Sequence, residues 1–410
     1  MAPLTSLPVE LKQIIYFHLS DALSISALSQ TCIAFHLALP GIEQRLLSKI
    51  VQDSVPTALL SIAIDVADAA RLTKPWNRNG VRRILDRLFE YKTSTDWTLS
   101  RAIFIARLHE DISFFTVDFA TTALDNLKNG LPADLMLAPL CSSETHRIMR
   151  TLYIFELYRC LFRHHKFITP GHARFSALEQ RLLFFERFPP WQLEQLACIH
   201  DYLLRYISPA VEDVARHDIV WGKQRIGYLA ANSKHKQHFL SMGLTYIRKA
   251  GAAISYDERH TLLHSAAISK QVAGSDPKFL HASMTSCTNK TILTTASAVD
   301  KYTHFGHFSI DQVRISTLEK GGMKPNVQNH LTGDNDYGPL LAWWRFHRER
   351  SWCTPVCYSN ESAKLRRMGY VMWDCEKAEV SDAVSLSYWG EPIVMNAKRI
   401  ERCKSHFVSD

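Results

Sequence analysis

The feature that most constrains the fold of this chain is the spacing of its apolar residues, which recur every three or four positions from residue 8 to about residue 270. Such spacing lines one face of an α-helix, whereas the strict alternation of half-buried strands is rare here. We therefore expect a mainly α fold with few short strands at most, the candidates being Tyr370–Trp373 and Val384–Tyr388. Proline and glycine predict boundaries at Pro40-Gly41, Pro75–Gly80, Gly130–Pro139 and Pro189-Pro190.

Composition and apolar periodicity divide the chain into four parts. Residues 1–50 are predicted to form a small helical segment, and residues 51–271 a larger helical body. Residues 272–338 are rich in Ser, Thr, Asn, Gly and His and are expected to be an irregular connection. Residues 339–410 form a block rich in Trp and Arg. No leucine-rich, WD or kelch period appears, and an ankyrin-like stretch near residue 260 has no second copy.

Composition sets the class of protein. The chain is 46% hydrophobic and 21% charged, which is typical of a globular protein with a substantial core. Its nine scattered cysteines are odd in number and fit buried thiols in a reducing compartment, so we expect a cytoplasmic or nuclear location. The most apolar stretch, Thr57–Ala67, is about half the length that a bilayer requires, and Glu10 and Lys12 interrupt any signal-like run. We expect no membrane association.

The net charge of +8 is uneven, since residues 221–290 hold ten Lys or Arg against three Asp or Glu. A nucleic-acid footprint is one interpretation of this imbalance. The charges fall singly, however, and no Gly-rich or aromatic RNA-binding signature accompanies them. A solvated face is the favoured interpretation, and we expect no nucleic-acid partner.

The first 40 residues carry the signals of two short helices. Pro8 suits a first helical position and Glu10 complements the helix dipole. Asp21 or Ser24 is expected to cap a second helix that runs to Pro40-Gly41. The apolar stripes are Leu7, Leu11, Ile14, Ile15 and Leu19 on the first helix, and Leu28, Cys32, Phe35 and Leu39 on the second. Periodicity alone predicts no more than a helical hairpin packed on the rest of the protein.

The residue pattern of this segment resembles that of a known family. Leu7-Pro8-Val9-Glu10-Leu11, followed by Ile14 and then by T-C-x-x-F at residues 31–35, resembles an F-box. In that family the hairpin binds a Skp-type adaptor. The resemblance implies that the adaptor-binding residues are Leu7, Pro8, Leu11, Ile14, Ile15, Leu19, Leu28, Cys32 and Phe35. The inter-helix loop, residues 20–26, is about a residue longer than the commonest form and lacks its proline, so the register near Leu23 stays open.

The rest of the chain resembles filamentous-fungal F-box proteins whose C-terminal region has no familiar repeat. The resemblance rests on five phrases in order, at Leu99–Leu127, Ser143–Phe162, Phe185–Leu203, Gly338–Arg350 and Leu365–Asp374.

Apolar spacing within these phrases predicts architecture. Leu152, Phe155, Tyr158 and Phe162 are expected in the core, and a second apolar face comprises Trp191, Leu196, Ile199, Leu203 and Ile207. Trp343, Trp344 and Trp373 either hold the terminal block on the helical body, which we favour, or anchor a binding surface.

No motif with established chemistry is present. The sequence lacks a P-loop, a dinucleotide fingerprint, a nucleophile elbow and a zincin helix. The histidines at 164, 165 and 172, and Cys353 and Cys357 with His347 and Cys375, lack the tight pairs of a zinc site. We therefore expect no metal, no cofactor and no catalytic activity, and a hydrolase is the least favoured alternative.

The resemblance implies a function. The chain would be a non-catalytic subunit of an SCF ubiquitin ligase, joined through the Skp-type adaptor to a cullin and a RING subunit, and would present an unidentified protein for ubiquitination. An alternative left open is an adaptor-bound scaffold that acts outside a cullin complex. The substrate-binding residues are unknown at this stage.

Overall fold

The computed structural model is mainly helical in its described part. It describes residues 4–72, 77–90, 96–130, 137–163, 175–185, 188, 190–220, 236–267, 279–286, 338–339, 342–343, 360–374 and 377–378. Helix accounts for 82% of these residues and none is in a strand, which confirms the mainly α class.

A 3-10 turn at Leu4–Ser6 precedes fourteen α-helices that we number along the described chain. They are α1 Val9–Phe17, α2 Ala22–Thr31, α3 Ile33–Ala38, α4 Glu43–Ser54, α5 Thr57–Arg71, α6 Arg78–Glu90, α7 Leu99–Lys128, α8 Ser142–Phe162, α9 Ala177–Leu183, α10 Pro190–Val220, α11 Leu244–Ala252, α12 Tyr256–Ala267, α13 Phe279–Ser286 and α14 Asn360–Arg367. No single helix among them is long and apolar enough to cross a bilayer; α4 and α5 meet that standard only as a pair, bent by 118°.

The second predicted helix of the N-terminal segment is two helices. Asp21 caps α2 as expected, its Oδ1 accepting from the Ser24 amide at 2.8 Å. At Cys32 the backbone is extended, with φ −161° and ψ 162°, and this residue ends α2 and precedes α3. The Thr31 hydroxyl bonds the Leu28 carbonyl at 2.7 Å, and the first α3 bond runs from the His36 amide to Cys32. The expectation of one continuous helix was therefore wrong.

Helix α8 is the centre of the molecule. Fifteen of its residues are buried, because α5, α7 and α10 pack around it. Its first turn is held by a capping box in which the Cys141 thiol accepts from the Glu144 amide and the Glu144 carboxylate accepts from the Cys141 amide. The four α8 residues predicted for the core are all buried, as are the predicted residues of the second face except the half-buried Trp191: Leu152, Phe155, Tyr158, Phe162, Leu196, Ile199, Leu203 and Ile207.

The N-terminal helices are packed on the body rather than tethered to it. Helix α2 contacts α4 and α7, and one hydrophobic core runs from Tyr16 to Ala378. The Gln44 side chain both donates to the Trp97 carbonyl and accepts from the Trp97 amide, each at 2.8 Å. The orientation of the first 50 residues relative to α7 is consequently set by core packing and by these paired hydrogen bonds.

The strand expected at Tyr370–Trp373 is not formed, because the chain turns at the end of α14. The Gly369 amide donates to the Arg366 carbonyl and the Tyr370 amide donates to the Leu365 carbonyl, while Gly369 has φ +62°. This is a Schellman ending, which reverses the chain instead of extending it. It turns Trp373 into the core, where its indole donates to the Met368 carbonyl at 2.6 Å.

Trp373 and Trp343 are both buried, so these two tryptophans hold the terminal block on the helical body. Trp344 and the second strand candidate, Val384–Tyr388, lie outside the described residues.

Candidate docking surface

Exposed apolar side chains are concentrated at the N-terminus. Among the residues that the structure describes, eleven large apolar side chains are exposed, and seven of these lie between residues 4 and 37. We call these seven the N-terminal apolar surface: Leu4, Val9, Leu11, Ile14, Leu23, Ile33 and Leu37. Single exposed apolar residues are ordinary on a protein surface, whereas such a concentration on three short helices is typical of a binding site.

Helix α1 turns its apolar side outward. Leu11 is 45% exposed and Ile14 is 51% exposed, whereas the charged Lys12 is only 8% exposed. The inward side of the helix makes polar contacts with α3 as well as apolar ones. The Tyr16 hydroxyl donates to the Phe35 carbonyl at 3.1 Å, and the Gln13 amide donates to the Ala38 carbonyl at 3.2 Å. An amphipathic helix packed only for its own stability would have the opposite arrangement.

Helix α3 adds a second exposed pair that was not predicted. Ile33 is 76% exposed and Leu37 is 69% exposed, one turn apart, while Phe35 and Ala38 face the interior. The predicted stripe continued the α2 register through Cys32 to Phe35. The extended backbone at Cys32 resets that register, which puts Ile33 and Leu37 outside. The sequence offers no local signal for this break, because Cys32 is not one of the residue types that favour an N-cap position.

Eight of the nine predicted adaptor-binding residues are accessible to some degree. Pro8, Leu11 and Ile14 are exposed, and the half-buried members are Leu7, Ile15, Leu19, Leu28 and Cys32. Phe35 is buried, with its ring edge-on to Tyr16 at 6.0 Å between centroids. Because that ring fills the hairpin interior, we omit Phe35 from the candidate surface.

Two titratable groups lie between α1 and α3. Burial raises the pKa of the Tyr16 phenol. The nearby backbone amides of Phe35 and Ala34 lower the pKa of the Cys32 thiol, with Lys12 adding a smaller contribution of the same sign. Cys32 is the N-cap residue of α3, and the two amides belong to the first turn of that helix, whose N–H groups have no acceptor within the helix.

A second polar cluster joins the start of α8 to the C-terminal turn. One ligand atom each of Cys141, Glu144 and Asp374 lies within 4.8 Å of the others, which is close enough to hold a metal ion. Both carboxylates already have cationic partners: Arg147 lies 2.8 Å from Asp374, and Lys377 lies 2.5 Å from Glu144. A divalent cation here would face two positive charges. The cluster is therefore better suited to holding Met372, Asp374 and Lys377 on α8 than to metal binding.

A fully buried ion pair lies between α10 and α14. The Arg366 guanidinium bonds both oxygens of Glu194, at 2.7 and 3.1 Å, and a third bond reaches Asp201 at 3.2 Å. The neighbouring Cys198 thiol has its pKa raised well above the usual value by burial and by Glu194. It is therefore a neutral thiol at physiological pH and not an activated nucleophile.

Several sequence-based candidates cannot be placed. The histidines at 164, 165 and 172, the cysteines at 353, 357 and 375 with His347, and much of the basic stretch at 221–290 lie outside the described residues.

Comparisons with known proteins add no relative. The chain has no significant match among protein-family models, curated proteins or solved structures.

Proposed function

We propose that this chain is an F-box-type subunit that docks a Skp-type adaptor through its N-terminal apolar surface and presents a bound protein for ubiquitination by a cullin-RING ligase. The observation that carries the proposal is the exposed apolar side of α1, together with the F-box-like residue pattern at positions 7–35. Burying such a surface is favourable by about 25 cal/mol per Å² of apolar area, which supplies the driving force for binding.

The proposed role of the chain is proximity rather than proton transfer. Its N-terminal helices are joined to α7 through a common core and through the Gln44–Trp97 hydrogen bonds. A substrate bound anywhere on the body would consequently be held in a defined orientation to the adaptor. A fixed orientation raises the effective concentration of the substrate's lysines near the conjugating enzyme. We propose a cytoplasmic or nuclear location for this activity.

The test replaces Leu11 and Ile14 together with aspartate and measures binding of a purified Skp-type adaptor by calorimetry. Two buried charges at the centre of the interface are expected to weaken binding by more than about 30-fold, the loss typical of one hot-spot residue. Leu178 and Leu182 on α9 provide a matched control, because they are also one turn apart and are 51% and 48% exposed. Their double aspartate variant should bind the adaptor as the unmodified chain does.

Two outcomes would reject the docking surface: equal adaptor binding by the Leu11→Asp/Ile14→Asp variant and the unmodified chain, or equal loss in the α9 control. Retained helical circular dichroism in both variants excludes a trivial loss of fold.

Recruitment of a cullin separates the proposed ligase role from the scaffold alternative. The complex of the chain with its adaptor is mixed with a purified cullin and analysed by gel filtration. Co-elution of all three supports the ligase role, while exclusion of the cullin by an intact adaptor complex supports the scaffold.

A further inference from the structure

The last turn of α8 carries more positive charge than its neighbours neutralise. Arg159 and Arg163 lie one turn apart, and among the described residues Glu156 is the one carboxylate bonded to either. Its Oε2 accepts from Arg159 Nε at 2.5 Å, and its Oε1 accepts from the Leu244 amide. The single negative charge of Glu156 is therefore already divided between Arg159 and the start of α11.

Within the described ranges, the other hydrogen-bond partners of the two guanidinium groups are sulfur atoms. Arg159 Nη2 lies 3.3 Å from Cys160 Sγ, and Arg163 Nη2 lies 3.2 Å from Met242 Sδ. Sulfur is a weak hydrogen-bond acceptor. Burial raises the pKa of the Cys160 thiol to about 11, so the thiol adds no negative charge at neutral pH. The site is consequently rich in donors and poor in acceptors.

The N-terminus of α11 adds to this positive potential. Gly243 is its N-cap, with φ +97° and no side chain to cap the helix. A Cβ atom at this position would lie 2.7 Å from Arg159 Nε, so glycine is needed for the close approach of the backbone to the guanidinium. The N-terminus of a helix carries about half a positive charge. Two guanidinium groups and a helix N-terminus thus converge around one carboxylate.

The dipole of α8 is a simpler explanation for a cation at this place. Arg163 is the C-cap residue of α8, where the negative end of the dipole favours a positive charge. That effect is worth about half a charge. In the described part of the chain, the Arg163 side chain donates to Met242 Sδ and to none of the last α8 carbonyls. Burial, and then the neighbouring Arg159, still lower the pKa of Arg163. The dipole of α8 therefore leaves the excess charge in place.

We propose that Arg159, Arg163 and the N-terminus of α11 form a binding site for a phosphate-type oxyanion, independent of the N-terminal apolar surface. The planar fork of an arginine matches two phosphate oxygens, and a bound anion would supply both the missing charge and the missing acceptors. The site is in partial contact with solvent, since the Arg159 side chain is 18% exposed and Arg163 is half-buried.

The probe is inorganic phosphate, titrated into the full chain by calorimetry with sodium chloride holding the ionic strength constant, because exposed charges are screened by salt. Arg163→Gln is expected to weaken phosphate binding by about tenfold, the effect of losing one charge-assisted hydrogen bond. Arg163→Lys keeps the charge without the fork and should bind with intermediate affinity. Arg107→Gln, at an exposed position of α7, is the matched control and should bind like the unmodified chain.

Phosphoserine is the second probe. Tighter binding than that of inorganic phosphate would identify a phosphorylated side chain as the source of the anion, and equal or weaker binding would identify free phosphate. The proposal is overturned if phosphate gives no heat of binding beyond that of chloride, or if Arg163→Gln and Arg163→Lys both bind phosphate as well as the unmodified chain.

Discussion

Individual buried charges are held in this protein by specific partners. Asp65 on α5 is 5% exposed and accepts a hydrogen bond from Arg87 Nε at 2.8 Å, while Asp68 forms an ion pair with the same guanidinium at 2.7 Å. Burial raises the pKa of Asp65 to about 6, and Arg87 only partly offsets this effect. The folded protein therefore binds a proton at Asp65 more tightly than the unfolded chain does.

This raised pKa predicts the sign of a pH dependence. From about pH 4 to pH 6, Asp65 loses its proton in the unfolded chain before it does so in the folded protein, so its ionisation lowers the free energy of unfolding as the pH rises. The full effect is about 3 kcal/mol. Asp65→Asn should remove this component, which denaturant titrations at several pH values would measure. Parallel pH profiles of the two proteins would contradict the assignment. Asp53→Asn, at an exposed position of α4, controls for the loss of one negative charge.

Gly243 is a position where a side chain is excluded both by the backbone and by its surroundings. Its φ of +97° and ψ of 170° lie in a region that is essentially restricted to glycine, and Arg159 and Glu156 occupy the place of a Cβ atom. Gly243→Ala is expected to lower the free energy of unfolding by about 3 kcal/mol. Gly41→Ala, where the nearest atom is the end of the Gln13 side chain at 3.3 Å, should change it by less than about 1 kcal/mol. Equal effects in a urea titration would refute this explanation.

The positions of the helices could be predicted from the sequence more reliably than which side of each helix is buried. The cap at Asp21 and the core face of α8 followed from local pattern, because capping and apolar spacing involve residues within one or two turns. The break at Cys32 and the reversal after Gly369 were not predicted. Both depend on what the following residues pack against: Phe35 enters the hairpin interior, and Trp373 enters the body.

The packing of α14 on α10 includes the buried ion pair between Arg366 and Glu194. We predict the effect of breaking this pair. Removing Arg366 leaves Glu194 buried without its counter-ion, so Arg366→Met should lower the free energy of unfolding by about 3–5 kcal/mol. Adding Glu194→Gln removes the orphaned charge, and the double variant should regain part of the loss. A double-mutant cycle by urea denaturation measures the coupling. Strictly additive losses would show that the two residues do not act as a pair.

At the scale of the whole molecule, one core connects the N-terminal helices with the C-terminal turn. Tyr16, Ala22 and Ile25 belong to the same hydrophobic cluster as the α8 core, and so does Trp373 in the turn that follows α14. The exposed apolar residues of the N-terminal surface therefore lie on a firmly packed support. The same packing would fix the orientation of any partner bound at this surface relative to the body.

A continuous core predicts cooperative unfolding. Tryptophan fluorescence and far-ultraviolet circular dichroism should report coincident urea transitions, since no N-terminal unit is free to unfold alone. Hydrogen exchange of α2 should likewise match that of α7, on which it packs. An early, separate transition confined to residues 1–50 would show that these helices form an independent domain.

The sequence alone determined the helical class, most of the core face of α8 and the apolar stripe of the first helix, because each depends on spacing and capping between near neighbours. Only the tertiary structure decided which apolar residues remained outside. Lys12 and Gln13 turn inward because Tyr16 and α3 pack there, and Phe35 fills that interior while Ile33 and Leu37 stay exposed. A helix has several faces, and which of them is covered is decided by contacts with distant parts of the chain. Apolar spacing therefore predicted the stripe on the first helix, whereas tertiary packing decided which of the N-terminal apolar residues are exposed.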